Sequence, residues 1–534
     1  MVALTDGADR SPFSGVRGPS STNGNNNYHY KNQYLEQPRP VRIIVIGAGL
    51  SGIAAVKIFK ERFAGEPVEL VIYEKNNDVA GTWLENRYPG CSCDVPAHAY
   101  TFSWEGNPLW SRAYVGAVEL FEYFKGRAVA YGVDEFVRLQ HRVVGCDWDD
   151  QQGKWFVKVE DLSSNTTFVE SAEVVINACG FLNFSNWKWP NIAGLRSFEG
   201  HLAHSARWDE SYSFKDKRVA IIGSGSSAIQ IVPQIQPEFA AELAPEGREQ
   251  SFSESQKQEW AQNPELFLQY RKKVDSTMNR FFDLQYKDAD LQKGSVQSTR
   301  EIMKQRLAKK PHLVQNLVPN FSLGCRRITP GHGYLEALSA DNVEVCTDEI
   351  LNIVKDGIET MDGRKFPSTR SSAPLASTPH SVRFFRSSVR LDEIFEMIGP
   401  RCVHYAFDAV EKLRRQNIKS MSPSVSAVND FQEHKDSLME DLVWTPGCRS
   451  WYKNGHVADK VWGPWPGSSP HFLELMAKPR WEDWVFEHFG TGNRFAYLGR
   501  GKTEREVKDG RDLAWCVSEP ALLSGLDSRG LCGS

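Results

Sequence analysis

Near the start of the chain, two short apolar runs flank a segment with helical periodicity. Val41 to Ile46 is an almost continuous β-branched run, which is typical of a strand buried on both faces. After a glycine-rich turn, Ile53 to Phe63 spaces its apolar residues as a helix does, and Val68 to Tyr73 forms a second apolar run. The pattern predicts a strand, a helix and a second strand, which is the βαβ unit of a parallel sheet.

The same order of elements recurs later in the chain. Arg218 to Ile222 predicts a strand, Gly223 to Ala228 is a second glycine-rich turn, and Ile229 to Ile235 predicts a helix. Two such units indicate two nucleotide-binding domains. We therefore predict an α/β protein with two Rossmann-like dinucleotide-binding domains.

The two ends of the chain lack this periodicity. Residues 1–38 are rich in Ser, Asn and Gly, and they predict a disordered arm because they bury too little apolar surface to offset the entropy of ordering. From about residue 440 onward, the chain is dense in Trp and Pro, which predicts irregular and partly buried structure.

Length, charge and cysteine content restrict the class of protein. The 534 residues suffice for two or three domains, and the formal net charge of -4 gives no field that would attract nucleic acid or an anionic membrane. Glycines interrupt the most apolar window, so we expect neither a membrane span nor a secretion signal. Only Cys91 and Cys93 of the ten cysteines lie close together, so we expect no metal site, no disulfide framework and a reducing, cytoplasmic location.

The first glycine-rich turn has the spacing of a dinucleotide-binding loop. The glycines allow a tight turn and a close approach of the pyrophosphate, and the helix that follows offers free N–H groups and the positive end of its dipole. Glu74 ends the next strand about 20 residues later, where a carboxylate accepts a hydrogen bond from a ribose 2'-hydroxyl and repels a 2'-phosphate. This loop therefore predicts FAD or NAD, and not NADP. Its expected contacts are Gly47, Gly49, Leu50, Ser51, Gly52 and Glu74.

The second glycine-rich turn predicts the corresponding contacts for a second dinucleotide. These are Gly223, Gly225, Ser226 and Ser227, at the start of the second helix.

Just after the first unit, a group of residues resembles a motif of the Baeyer-Villiger monooxygenases. Ala80–Trp83, Tyr88–Gly90 and Asp94 match the first motif of that family, in which Gly, Trp, an aromatic-Pro pair and Asp recur at these spacings.

A second group of residues, between the two glycine-rich turns, resembles the fingerprint of the same family. Phe198, Gly200, His204, Trp208 and Asp209 match the pattern Phe-x-Gly-x-x-x-His-x-x-x-Trp that ends in Pro or Asp. Two motifs in the expected order favour membership far more strongly than either does alone.

The amino-acid sequences of Asn86–Cys91 and Cys448–Lys453 are similar to those of fungal family members that act in polyketide-type secondary metabolism. The resemblance implies an NADP domain inserted in the FAD domain, with FAD and NADPH as cofactors and a small ketone and O2 as substrates. It divides the chain into an arm at 1–38, a first FAD part at 39–197, an incomplete NADP domain with a helical insert at 198–335, an FAD return at 336–400, and a substrate-side segment at 401–534.

The resemblance also assigns roles to individual residues. Arg327, in Gly324–Arg327, matches the family's active-site arginine, whose permanent charge suits an anionic oxygen species. Asp94 is expected to orient Arg327, Arg326 to reach the 2'-phosphate of NADPH, and His204 to couple the domains without acting as acid or base. The expected flavin contacts in this region are Gly81, Thr82, Trp83, Asp94 and Tyr100.

The chain departs from the family in two places. Residues 238–249 lack the β-branched run expected after the second helix, and residues 368–379 are rich in Ser and Pro where the family has an apolar strand and an Ala-Thr-Gly-Phe-Asp motif. A shifted reading of permitted codons for Pro367 to Pro379 gives Val-Asp-Ala-Ile-Val-Cys-Ala-Thr-Gly-Phe-Asp-Thr. We hypothesise a frameshift there, and we expect the loss of both segments to impair folding or NADPH binding.

Two alternatives stay open at this stage. One is a flavin monooxygenase that hydroxylates nitrogen or sulfur, which depends less on Arg327. The other is a non-catalytic remnant that binds FAD without turnover, and the two departing segments favour it. A disulfide reductase is disfavoured because no redox Cys-x-x-Cys follows the first loop.

Overall fold

The structure is a computed structural model. It describes residues 28–180, 189–236, 251–367, 395–445, 447–453, 460–461, 463–490, 492–508 and 511–514. Both departing segments, at 238–249 and 368–379, lie outside the described residues, as do the first residues of the predicted arm.

The strands carry the labels β1 to β12 in chain order. They are β1 (Val41–Ile46), β2 (Val68–Tyr73), β3 (Val137–Arg138), β4 (His141–Asp149), β5 (Lys154–Asp161), β6 (Thr166–Ala172), β7 (Val174–Asn177), β8 (Ile350–Val354), β9 (Gly357–Thr360), β10 (Lys365–Pro367), β11 (Ile418–Pro423) and β12 (Trp484–His488).

The helices carry the labels α1 to α13. They are α1 (Leu50–Phe63), α2 (Thr82–Glu85), α3 (Ala117–Tyr131), α4 (Ser226–Ile235), α5 (Glu254–Gln262), α6 (Pro264–Arg280), α7 (Asp290–Arg306), α8 (Val314–Leu317), α9 (Tyr334–Leu338), α10 (Phe395–Arg415), α11 (Val425–Glu440), α12 (Ser469–Leu475) and α13 (Glu504–Val507).

A parallel sheet in the order β3-β2-β1-β7 forms the centre of the first nucleotide unit. The predicted bounds of β1 and β2 are confirmed, while α1 begins at Leu50, three residues before the prediction, because Gly49 is already in position as the N-cap. One face of the sheet packs on α1, α3 and α10 through residues such as Ile53, Phe124 and Phe407. The other face packs on the antiparallel sheet β4-β5-β6. The sheet is therefore buried on both faces, as its β-branched strands require.

The second nucleotide unit departs from the prediction in one element. Its turn and its helix α4 are present, but Arg218–Ile222 is not a strand among the described residues. A strand needs a partner for its backbone N–H and C=O groups. Within the described ranges Ile222 makes a single bridge and Arg218–Ile222 forms no ladder, whereas Val41–Ile46 pairs with two neighbouring strands.

The described chain divides into two compact units. The larger comprises Arg39–Arg414 and Ile418–Glu487, and it contains both nucleotide units. The smaller comprises Met1–Pro38, Arg415–Asn417 and His488–Ser534.

Within the smaller unit, the end of the predicted disordered arm has fixed contacts. The Leu35 N–H donates to the carbonyl of Lys502, and the Glu36 N–H donates to the carbonyl of Tyr497. The prediction of disorder is therefore wrong for residues 28–38, because backbone hydrogen bonds with a distant segment supply what their own apolar content cannot.

Over the ranges that the structure covers, no helix is both long and apolar enough to cross a bilayer. In the same ranges, no cluster of three or more His, Cys, Asp or Glu residues is arranged to hold a metal ion.

Candidate active site

The first glycine-rich loop lies between β1 and α1, with its backbone exposed at the helix start. Gly47 has a φ of +103°, and a Cβ atom on Gly52 would lie 2.2 Å from the Gly47 carbonyl oxygen. Larger residues therefore fit at neither position. Gly49 is the N-cap of α1 and makes no side-chain capping bond, so the first turn presents backbone N–H groups to an anion.

Glu74 braces this loop from the end of β2. It is only 4% exposed, its Oε2 accepts from the Ala48 N–H at 2.8 Å, and its Oε1 accepts from the Asn76 N–H at 2.8 Å. Each carboxylate oxygen keeps a second lone pair for a ribose hydroxyl. Glu74 can therefore make the predicted ribose contact while it also holds the loop through the Ala48 and Asn76 N–H groups, a role that the sequence did not reveal.

The first family motif lies against the same loop. The Ala80 N–H donates to the Ala48 carbonyl at 3.0 Å, and Gly81 approaches Gly49 so closely that an added Cβ would lie 3.2 Å from its Cα. The Trp83 indole N–H donates to the Tyr100 hydroxyl at 3.2 Å. The structure therefore brings together these predicted flavin contacts: Gly47, Gly49, Leu50, Ser51, Gly52, Glu74, Gly81, Thr82, Trp83 and Tyr100.

The second glycine-rich turn has the same local geometry as the first. Gly223 has a φ of +115°, and Gly225 is the N-cap of α4 without a side-chain capping bond. Ser226, the first residue of α4, forms a hydrogen bond of 2.6 Å with the Thr329 hydroxyl. That bond brings the start of α4 to the segment that carries Arg327.

Asp94 and Arg327 form a bidentate ion pair. The guanidinium Nε donates to Oδ2 at 2.5 Å, and Nη2 donates to Oδ1 at 2.8 Å. The side chain of Asp94 is 15% exposed and that of Arg327 is 32% exposed. Two parallel bonds fix the plane of the guanidinium, so Asp94 orients a charge that is never lost.

Helix α4 also contacts the segment that carries Asp94. Gln230 accepts a hydrogen bond from the Tyr88 hydroxyl at 2.9 Å and donates to the Ser92 carbonyl at 3.0 Å. Gly90, with a φ of +76°, lies so close that a Cβ would be 2.5 Å from the Gln230 carbonyl oxygen. The ion pair is therefore fixed from both sides by contacts with α4.

The residues around this pair hold their protons at neutral pH. Burial raises the pKa of the Cys91 thiol to about 11, and burial also raises the pKa of Tyr88. Neither group is a nucleophile at pH 7, so the permanent positive charge of Arg327 is the feature of this cluster that can stabilise a reacting group.

His204 is not placed as an acid or base. It is 1% exposed, its Nδ1 accepts from the Ala206 N–H at 3.1 Å, and its ring meets that of Trp189 edge to face. Burial lowers its pKa to about 4, so it is neutral at pH 7. Its expected role in coupling domains stays a prediction.

A disulfide joins Cys325 to Cys448, next to Arg326 and Arg327. The expectation of no disulfide framework is therefore corrected by one bond, which spacing could not reveal because the two cysteines are 123 residues apart. The Arg326 Nε donates to the carbonyl of Arg449 at 2.8 Å.

Sequence reasoning missed Gln230, Thr329, Ser92 and Arg449. Gln230 lies one helical turn after Ser226, so its position on the same face of α4 could have been inferred from spacing. The other three come from segments far apart in sequence, and they carried no signal.

Comparisons with known proteins identify relatives of this chain. A family model described as flavin-binding monooxygenase-like matches residues 40–274. The FAD-binding monooxygenase tazF of Aspergillus terreus is 34% identical over 90% of this chain and 94% of its own length. A Baeyer-Villiger monooxygenase of Pseudomonas aeruginosa is 28% identical over 84% of this chain and 93% of its own.

The fold is also found in solved structures. A closed crystal structure of cyclohexanone monooxygenase has a TM-score of 0.69 at 19% identity, covering 85% of this chain and 100% of that one. The OTEMO complex with FAD and NADP has a TM-score of 0.68 at 20% identity, covering 84% of this chain and 100% of that one.

These matches define the class first: this is a flavin-dependent oxygenase with the two-domain Rossmann-like fold. The chain belongs to the family of FAD-binding monooxygenases. The predicted family, fold class, enzyme class and flavin cofactor are thereby confirmed. The individual site residues and the domain bounds stay predictions.

Proposed function

We propose that this protein is an NADPH-dependent Baeyer-Villiger monooxygenase that inserts one atom of O2 beside the carbonyl carbon of a small ketone. The observation that supports this most directly is the bidentate Asp94–Arg327 pair, whose two chain segments are hydrogen-bonded to helix α4 at Ser92 and Thr329. We further propose that the protein is located in the cytoplasm and acts in polyketide-type secondary metabolism. The fungal origin of relatives from Aspergillus terreus and Dothistroma septosporum supports the metabolic role.

The residues of the first loop fit an FAD. Gly47 and Gly52 keep side chains away from the loop, the start of α1 offers N–H groups to the pyrophosphate, and the buried Glu74 offers a lone pair to the ribose. When bound, FAD activates O2, and NADPH supplies the two electrons that this requires. Trp83 and Tyr100 form one wall of the site through their shared hydrogen bond.

The start of α4 fits a second dinucleotide. Its uncapped first turn offers N–H groups, and Ser226 and Ser227 stand at its beginning. Arg326 follows Gly324 and Cys325 in the chain and is exposed, so its guanidinium is accessible to a phosphate.

Arg327 supplies the charge that the reaction needs. Oxygen insertion develops negative charge on oxygen, and a guanidinium stabilises that charge without surrendering a proton. A guanidinium does not give up its proton in proteins, so Arg327 keeps its positive charge. Asp94 thus acts on orientation.

The test compares Arg327→Ala with Arg327→Lys in the full chain. Ester formation from a panel of cyclic and aryl ketones is measured by mass spectrometry with FAD, NADPH and heavy-isotope O2. We expect Arg327→Ala to lower ester formation by about a hundredfold to a thousandfold, with partial recovery in Arg327→Lys, because lysine keeps charge but loses the bidentate geometry.

Arg364→Ala is the matched control, since Arg364 makes ion pairs with Asp348 and Asp362 at the surface, where they contribute little. Ester formation at the same rate in Arg327→Ala would contradict the proposal. Oxygenation of amines or sulfides in place of ketones, unaffected by the substitution, would favour the hydroxylase alternative.

A further inference from the structure

The Cys325–Cys448 disulfide joins the active-site arginine segment to the C-terminal part of the chain. Both cysteines are buried, with 0% and 1% exposure, and the bond lies two residues before Arg327. Among the described residues, neither the Asp94–Arg327 ion pair nor the glycine-rich loops include the disulfide among their contacts.

The disulfide holds a short loop whose two ends are already anchored. Trp444 and Tyr452 are 5% and 3% exposed and belong to the same apolar cluster, while residues 447–450 run between them. The Val443 N–H donates to the Gln285 carbonyl at 2.8 Å, which fixes the same end again. Cys448 therefore fixes the middle of a loop, and its loss frees that loop without freeing its ends.

The loop brings a second arginine beside Arg326. The Arg326 Nε donates to the carbonyl of Arg449 at 2.8 Å, directly next to the disulfide, and both residues are exposed. Although the residue as a whole is exposed, partial desolvation of its guanidinium and then the positive charge of Arg449 lower the pKa of Arg326. Two like charges so near each other lose free energy unless an anion joins them, and paired guanidinium groups suit the oxygens of a phosphate.

Arg326 belongs to the segment that contacts helix α4. Thr329, three residues after Arg326, forms the 2.6 Å hydrogen bond with Ser226 at the start of α4. Arg326 therefore lies on a chain segment that a hydrogen bond joins to the uncapped start of α4, which is the helix end proposed to bind the second dinucleotide.

We propose that the Cys325–Cys448 disulfide is a redox-sensitive site that holds Arg449 beside Arg326, so that both guanidinium groups bind the 2'-phosphate of NADPH. The inference rests on the proposed use of NADPH and adds to it a second phosphate ligand and a redox dependence. Reduction by a dithiol breaks the Sγ–Sγ bond and adds two electrons and two protons, giving two thiols while the dithiol becomes a disulfide.

The consequence of reduction is local. The Gln292 amide donates to the carbonyls of both Leu284 and Leu323, and Gln285 contacts Val443, so the two segments stay joined without the disulfide. Reduction therefore releases Arg449 and leaves the Asp94–Arg327 pair and the FAD loop in place.

The first experiment measures binding of NADP+ and NAD+ to the full-length FAD-loaded protein by calorimetry. We expect Arg449→Gln to weaken NADP+ binding by about tenfold and to leave NAD+ binding unchanged, because a charged hydrogen bond to the extra phosphate is lost. Equal affinity of Arg449→Gln and wild type for NADP+ overturns the role of Arg449.

The second experiment tests the disulfide with Cys448→Ser, and with Cys346→Ser as control because Cys346 is a free, exposed cysteine. We expect Cys448→Ser, and wild type reduced with dithiothreitol, to lose about tenfold in NADP+ affinity with unchanged FAD content. Adding Arg449→Gln to Cys448→Ser should then cost nothing further, because the two changes act through one contact.

The possible outcomes distinguish failure of the redox site from failure of the proposed NADPH-dependent function. Wild-type binding of NADP+ with no effect of reduction or of Cys448→Ser overturns the redox site and leaves the proposed function standing. Absence of NADP+ binding in the oxidised wild type overturns both. Loss of FAD from Cys448→Ser would show that the bond has a general structural role, which also overturns the proposal.

Discussion

At the scale of the residue, close backbone approaches decide which side chains the FAD loop tolerates. Glycine spacing predicted the loop, but the 2.2 Å between a Gly52 Cβ and the Gly47 oxygen shows which glycine is irreplaceable for packing. Glu74 likewise turned out to brace the Ala48 and Asn76 N–H groups, which a ribose contact alone did not predict.

Gly52→Ala should therefore lower FAD binding below that of the wild type. Its methyl group forces the loop apart, at a cost of about 1 to 3 kcal/mol in the free energy of unfolding. Flavin absorbance of the purified protein and a thermal melt measure both effects. Gly126→Ala, in α3 with no neighbour within 4 Å, is the control, and we expect it to be more stable by about 0.5 to 1 kcal/mol. Normal FAD content in Gly52→Ala would contradict the loop geometry.

At the scale of the element, the site depends on how α4 meets the segment that ends at Asp94. The segment's Tyr88, Gly90 and Ser92 all contact Gln230 on α4, so a short family motif in sequence serves as a contact surface in the fold. The order of the motifs along the chain predicted that the family motif lies near the nucleotide sites. The hydrogen bonds of Gln230 show which residues of the motif make the contact.

Gly90→Ala should separate that segment from α4. We expect oxygenation to fall about tenfold or more, with NADPH oxidation less affected, since the orientation of Asp94 shifts. Product formed per NADPH consumed is the measurement. Gly65→Ala is a matched control because Gly65 has nearly the same φ, +75°, with nothing within 4 Å, so backbone strain is equal and only the contact differs. Equal effects of the two substitutions would rule out the contact as the cause.

A second element contact should make stability depend on pH. His98 is 1% exposed and lies among Phe252, Trp260, Phe267 and Tyr270, which come from α5, α6 and the segment before them. Burial and then the positive charge of Arg271 lower its pKa to about 4. The unfolded chain therefore binds this proton more readily, so stability is intact above the ordinary pKa of about 6.5 and falls as the pH drops toward 4.

The change is at most about 1.4 kcal/mol for each pH unit in that window, and His204 contributes in the same direction. Denaturant melts at pH 8 and pH 5 compare wild type with His98→Phe, which keeps an aromatic ring and removes the titration. We expect the variant to lose less stability between the two pH values. An identical loss in both proteins would exclude His98 as a contributor.

At the scale of the whole molecule, the intact first nucleotide unit contrasts with the two departing segments. Each buried Val, Ile or Leu contributes about 1.5 to 3 kcal/mol, and loss of several such residues from two strands is large against a total stability of about 5 to 15 kcal/mol. The departing segments lie outside the described residues, so the expected impairment stays a prediction.

We expect the chain to bind FAD weakly and to oxidise NADPH slowly. The ratio of flavin to protein and the rate of NADPH oxidation measure this, with the Aspergillus terreus relative assayed in parallel as the reference. Stoichiometric FAD and a turnover similar to that of the relative would refute the expected impairment.

By itself, the sequence determined the family, the flavin loop and the catalytic candidates, because glycine spacing, β-branched runs and two ordered motifs are local signals. It was wrong about the strand at Arg218–Ile222 and the disorder of residues 28–38, and it did not indicate the single disulfide. Those features depend on partners far away in the chain. Only the tertiary structure could join Cys325 to Cys448, bring Arg449 to Arg326 and place α4 against the two segments that carry Asp94 and Arg327, since long-range contacts carry no periodic signature in sequence.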